Sequence, residues 1–205
     1  MTAKAEFTGP VRPVSLPRQA VSVSVARSLD EIMQAIAIRS MVYMGEQLCP
    51  YEEEVDGNDF AGATHLIARV GGRAVGVVRM RWFCDFAKLE RFTVAPAYRG
   101  GAATRALLEA AFDLAARKGY RKVMGHTQSR LTPVLIRYGG VKVRKDRPSF
   151  TFSDHEYVET VRDLEPPDGA ITMDTDPLVL LRPEGAWERP GVLDRSALRP
   201  ATNPH

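Results

Sequence analysis

Cysteine is scarce in this chain. Cys49 and Cys84 are the only two, and neither sits at a spacing from histidine that could hold a metal, so a disulfide framework and a Cys/His metal site are both excluded. A reducing, cytoplasmic setting and no metal are expected. Long apolar runs are missing too: nowhere do eighteen apolar residues follow one another, so no membrane span is expected. The first twenty residues place Pro10, Pro13 and Pro17 among polar neighbours and lack the continuous apolar stretch of a secretory signal. No helix-turn-helix, zinc-ligand or aromatic RNA-binding pattern is present, which speaks against nucleic acid as a partner.

What is present suits one domain. The 205 residues are 44% hydrophobic, enough for a single substantial core with some chain left for tails. The formal net charge of +3 hides an uneven spread. Residues 117–147 carry Arg117, Lys118, Arg121, Lys122, Arg130, Arg137, Lys142, Arg144, Lys145 and Arg147 against the single acid Asp146. Such a stretch is either a solvated basic face or a surface for an anionic partner.

Residues 1–20 read as an irregular arm, residues 21–182 as the folded domain and residues 183–205 as an extended tail. Val21, Val23 and Val25 alternate with serines at the period of a half-buried strand. Ser28 and Glu31 have capping-box spacing, and Ile32, Ile36, Arg39 and Tyr43 then recur at helical intervals up to Gly45. Residues 47–62 lose periodicity among acids, Pro50 and Gly57, as a loop does. Residues 65–70 and 74–82 flank Gly71-Gly72 as a tight hairpin, and residues 88–94 form a further strand. Residues 101–118 are the longest helix, with an apolar face from Leu107 to Ala115 and Gly119 to end it. A strand at 123–126, a short helix at 133–138 and a strand at 141–143 follow. The order is β-α-β-β-β-α-β-α-β, an α/β (α+β) domain with a central mixed, twisted sheet. Beyond Asp154 the chain turns acidic and proline-rich, with residues 178–181 as a possible last strand.

Chemistry concentrates between one strand and the long helix, in Ala95-Pro96-Ala97-Tyr98-Arg99-Gly100-Gly101-Ala102-Ala103-Thr104. A glycine-rich loop there lets backbone approach an anion, and the helix adds unpaired N–H groups and its positive dipole end. The loop is not a P-loop or a dinucleotide fingerprint, since the Gly-Lys-Ser/Thr end and the spaced third glycine are absent.

With Leu89-Glu90-Arg91-Phe92-Thr93-Val94 before it and Tyr138-Gly139-Gly140-Val141 after it, the segment resembles the GNAT acyltransferase superfamily. The resemblance covers roughly residues 21–147. It implies acetyl-CoA, acyl-CoA or acyl-phosphopantetheine on acyl carrier protein as co-substrate. The pyrophosphate would lie on the backbone of Arg99, Gly100, Gly101, Ala102, Ala103 and Thr104, and the pantetheine along Phe92, Thr93 and Val94. A small-molecule amine is the implied acceptor. The N-terminal half is similar to acyl-homoserine lactone synthases and N-acyl amino acid synthases in Arg39, Tyr43, Asp56, Asp59, Arg79 and Arg91, which this likeness assigns to the acceptor side. Lys88 stands where that group has an acid. For Asp56 and Asp59 a solvated acidic turn is the competing reading.

Moving an acyl group from a thioester to an amine needs a base for the nitrogen, donors for the oxyanion and a proton for the thiolate. Glu90, two residues beyond Lys88 and so on the same strand face, is the first candidate base. His126, at its strand's end, could shuttle a proton. The oxyanion would meet a backbone N–H near Thr93 or Val94. The alternative to an enzyme is a catalytically silent domain of the same fold that senses an acyl-thioester or binds a protein.

Overall fold

A computed structural model describes residues 20–200, so nearly all of the expected arm at residues 1–20 lies outside the described part. The elements run β1 (Val21–Val25), α1 (Leu29–Ser40), α2 (Tyr51–Glu54), β2 (Thr64–Val70), β3 (Arg73–Trp82), β4 (Ala87–Val94), α3 (Ala102–Arg117), β5 (Lys122–Gln128), α4 (Thr132–Gly139), β6 (Lys142–Val143), β7 (Phe150–Phe152), β8 (His155–Asp163), α5 (Pro177–Leu180) and α6 (Val192–Ala197). Apart from the added α2, the expected strand-helix order holds through β6.

All strands join one mixed sheet in the order β1-β2-β3-β4-β5-β8-β6, with β7 also paired to β8. Every pairing is antiparallel except β4 with β5. The β2–β3 hairpin turns on Gly71 and Gly72, both at positive φ (56° and 80°), which is the two-residue turn their sequence predicts.

Helices cover both faces. On one, α3 buries Leu107, Leu108, Ala111, Phe112, Leu114 and Ala115 against Leu66, Val75, Val78, Leu89 and Val94. A Leu or Phe side chain fully buried this way is worth about 1.5–3 kcal/mol, so this layer anchors the domain. On the other face Ala35 and Ile38 of α1 meet Ile67 and Val77. Ser28 caps α1 by accepting from the Glu31 N–H, and a π-helical turn at Met41–Glu46 extends the helix. Widened turns of this kind re-aim side chains, and this one carries Tyr43 and Glu46.

Four expectations need correction. The acidic loop contains the helical turn α2. Residues after 154 form β8, the nine-residue strand that lies between β5 and β6. Residues 178–181 belong to a helical turn, because Asp176 accepts from the Leu178 N–H and Pro177 starts the turn. Of the stretch expected as an extended tail, residues 183–200 fold back and residues 201–205 lie outside the described part: Trp187 packs on the α3 side of the core, Glu184 takes Thr64 Oγ1 (2.9 Å) and Lys118, and α6 follows.

Candidate active site

β4 and β5 pair over three residues only, Ala87–Leu89 against Val123–Gly125, and then part. The cause lies in β4. Opposite the stretch from Val77 to Arg79 its register shifts, and Arg91 takes a left-handed backbone conformation (φ 52°). This is a β-bulge, which bends the strand away from its neighbour. A non-glycine residue held there costs about 1–3 kcal/mol, and Arg91 is held firmly. Its Nη2 donates to Glu53 O (2.6 Å) and Asp56 Oδ2 (3.2 Å), and its Nε lies 3.0 Å from Glu54 Oε2.

The residues expected on the acceptor side form a buried ionic network under this bulge. Arg39 and Arg79 are fully buried. Arg39 binds Glu54 Oε1 (2.5 Å) and Asp59. Arg79 binds Asp59 Oδ1 (2.9 Å), Asp56 Oδ2 (2.6 Å) and, directly across the strands, Glu90. Burial pushes the Asp56 and Asp59 carboxyls up, but hydrogen bonds and charge from Arg79, with Arg39 at Asp59, outweigh it and hold both below the usual range. Asp59, 6% exposed, is therefore no solvated residue, whereas Asp56 sits at the exposed edge of the network. Arg39, Asp56, Asp59 and Arg79 line neither of the two cavities at the parting strands, whereas Tyr43 and Arg91 line the larger one.

Between the parted strands lies a cleft of about 120 Å³, walled by Leu89, Glu90, Phe92, His126, Leu131, Val134 and Leu135 among others. Glu90 and His126 thus come to one cavity. Glu90 also has Lys88 Nζ at 3.4 Å and Arg81 at 3.9 Å, while its Oε1 makes no hydrogen bond. Burial, then the nearby Lys88 charge, pull the His126 pKa down, so its imidazole is neutral at pH 7. Ala95 N donates to Val75 O, so by strand alternation Thr93 N–H turns toward β3 while those of Phe92 and Val94 face the gap. The carbonyls on that gap side find side chains: Phe92 O takes Tyr43 Oη (3.4 Å) and Val94 O takes Arg99 Nε (2.8 Å). Of the two expected oxyanion positions, Thr93 turns its N–H to β3 and Val94 turns its N–H to the gap, where Phe92 joins it.

A second cavity, about 660 Å³, opens on the other side and shares Tyr43, Gln47, Arg91, Gln128 and Tyr157 with the cleft. Gln128 and Tyr157 were not anticipated, Gln128 because β5 runs two residues past the expected end and Tyr157 because β8 was unseen. The β-formers Tyr157, Val158, Thr160 and Val161 were its available signal.

Beneath the cleft, Gly101 begins α3 with no side-chain cap, and the first helical bond runs from Arg105 N to Gly101 O. The N–H groups of Ala102, Ala103 and Thr104 precede it and are free to meet an anion. Gly100 sits at φ 64°, with its N–H on Thr104 Oγ1 (3.1 Å) and its carbonyl taken by Tyr138 Oη (2.5 Å), which shapes the loop. Arg105 and Arg137 flank the Tyr138 ring (5.8 and 5.4 Å). The rest of the basic stretch is dispersed: Arg117 pairs with Glu188, Lys118 with Glu184, Lys122 with Asp163, and Arg144 with Asp146 and Glu159.

A strand that parts from its parallel neighbour, followed by an uncapped helix N-terminus, leaves room for a ligand with an anionic group. The chain belongs to the Acetyltransferase (GNAT) family, which matches residues 31–137, and it is an acyltransferase. It is 26% identical over 115 residues, 56% of this chain and 81% of the relative, to the uncharacterized N-acetyltransferase YjcF of Bacillus subtilis (strain 168). Among solved structures it shares its fold with an acyl-CoA N-acyltransferase from Pseudomonas aeruginosa (TM-score 0.62, 24% identity, 70% of this chain and 99% of that one). It also shares it with the CoA-dependent acyl-homoserine lactone synthase BjaI (TM-score 0.60, 16% identity, 70% and 83%). Members of this family take acetyl-CoA or acyl-CoA as co-substrate, and the free N–H groups and apolar cleft fit such a carrier.

Proposed function

We propose that the protein transfers a short acyl group from acyl-CoA to the amine of a small molecule. The observation that carries this reading is the cleft between β4 and β5, which Glu90 and His126 both line, together with the uncapped N-terminus of α3, the helix that follows β4 in the chain. The backbone N–H groups of Ala102, Ala103 and Thr104 would hold the pyrophosphate, with Arg105 and Arg137 nearby, while those of Arg99 and Gly100 are spent on Pro96 O and Thr104 Oγ1 and shape the loop. The gap edge of β4 from Phe92 to Val94 would pair with the pantetheine arm. The bound thioester supplies an activated acyl carbon. A cleft of about 120 Å³ supports an acetyl-sized group over a long chain, and the pairing of Arg117, Lys118, Lys122 and Arg144 with acids of this chain leaves less of the basic stretch for acyl carrier protein.

Transfer forms one C–N bond and breaks one C–S bond; an acceptor that arrives as an ammonium loses two protons and sulfur gains one, leaving an amide, a free thiol and one proton for solvent. Glu90, pinned by Arg79, accepts the nitrogen's proton directly or through water, and neutral His126 relays it toward solvent. The backbone N–H groups of Phe92 and Val94 stabilise the developing oxyanion. Tyr157 accepts from Gln128 Nε2 (3.1 Å), which leaves its own hydroxyl proton to give to the thiolate.

The test is release of free thiol from acetyl-CoA with a panel of primary amines, set beside octanoyl-CoA and octanoyl-acyl carrier protein. Turnover with acetyl-CoA, reduced by Glu90→Gln with donor affinity intact, is expected. Turnover only with the carrier-protein donor, or a Glu90→Gln enzyme as fast as the parent, overturns the assignment.

A further inference from the structure

We infer that the acceptor is a primary ammonium carried on a flat, apolar body without a carboxylate, and that Gln128 is the residue that positions its nitrogen. The inference rests on the acyltransferase reading and narrows it to a substrate class.

Gln128 stands where the cleft and the larger cavity meet and is 6% exposed. Both Nε2 hydrogens are committed, one to Gln47 Oε1 and one to Tyr157 Oη, each at 3.1 Å. Its Oε1 has no partner. A buried carbonyl left so costs about 1–3 kcal/mol, and the group that relieves it must be a donor. An amine brought between the two cavities is such a donor, and the bond would hold its nitrogen beside Tyr157.

The larger cavity describes the rest of the molecule. Glu53 and Asp154 line it, and neither has a salt-bridge partner among the described residues. Arg91, also in its wall, is neutralised by Glu54 and Asp56. The wall therefore attracts a cation and repels a carboxylate. Phe152 stacks on Tyr157 (3.8 Å between centroids, 13°) and is 43% exposed, offering a flat surface for an aromatic body. The cavity's 660 Å³ or so falls in the range of small-molecule sites.

Phenethylamine and phenylalanine separate the claims, since they differ by one carboxylate, and butylamine removes the ring. With acetyl-CoA as donor, kcat/KM is expected to fall at least tenfold from phenethylamine to phenylalanine, and several-fold to butylamine. Gln128→Leu should raise KM for phenethylamine about tenfold while KM for acetyl-CoA stays put. Glu53→Gln with Asp154→Asn should narrow the gap between the two aromatic acceptors. Phenylalanine used as well as phenethylamine, or an unmoved amine KM in Gln128→Leu, overturns the inference while leaving the acyltransferase intact. No thiol release with any amine overturns both, and a folded, acetyl-CoA-binding Gln128→Leu protein in calorimetry shows that its defect is not one of folding.

Discussion

The two sides of β4 treat polar groups in opposite ways. Toward β3 and α1, two fully buried arginines meet the carboxylates of Glu54, Asp56, Asp59 and Glu90, and that side of the strand is sealed by ion pairs. Toward β5 the backbone N–H groups of Phe92 and Val94 face a gap, and Gln128 Oε1 lacks a hydrogen-bond partner. Satisfied polar groups rigidify; unsatisfied ones wait for a ligand. The sealed side is what lets the open side keep its shape, because it clamps the strained Arg91 at the bulge.

The largest effect should come from breaking the sealed side. Asp59→Asn leaves two buried guanidinium groups short of a counter-charge, and a loss of about 3–5 kcal/mol is expected in denaturant unfolding. The same network sets acid stability. Asp56 and Asp59 have folded pKa values below their unfolded ones, so their contribution is complete above about pH 4 and is lost as pH falls through the folded values. A circular-dichroism acid titration of Asp59→Asn should show part of that dependence gone.

The open side is probed by Gly101→Glu. A side chain at 101 would meet only Tyr98 O at 3.9 Å, and φ is an ordinary −125°, so folding survives. Charge placed at the anion site should weaken acetyl-CoA binding by a hundredfold or more in calorimetry. A smaller change follows from His126. With its pKa lowered, the parent's kcat/KM should stay high into mildly acidic buffer and fall as pH drops through that value; His126→Gln should lose that limb of the profile. Smallest is Gly100→Ala. The position is roomy, with Tyr138 Oη 4.0 Å from the new Cβ, but φ is 64°, so a cost of about 1–2 kcal/mol in stability is expected in thermal unfolding.

Much of the scaffold was legible because its signals are local. Alternating valines, Gly71-Gly72, the apolar face of α3 and the glycines before it each state their structure within a few residues. The nearness of Glu90 and His126 was not legible, because it depends on the parallel pairing of β4 with β5, which lie far apart in sequence. β8 was hidden because Glu156, Glu159, Arg162 and Asp163 lie among its β-formers and two prolines follow, which together mimic a loop. With it went Tyr157, and with the true end of β5 went Gln128. Glu54 was lost in a run of three glutamates; only the position of Arg39 across the fold decides which of the three is buried.

Since β8 enters the sheet between β5 and β6, the last wall of the cleft is the last strand to be synthesised. A chain emerging from the ribosome completes its anion loop and α4 well before residue 157 exists, and until then β5 has no neighbour on that side. Assembly of the cleft is thus a late event in the life of each molecule, and a chain ended before residue 157 would keep the loop before α3 while lacking the strand that carries Tyr157.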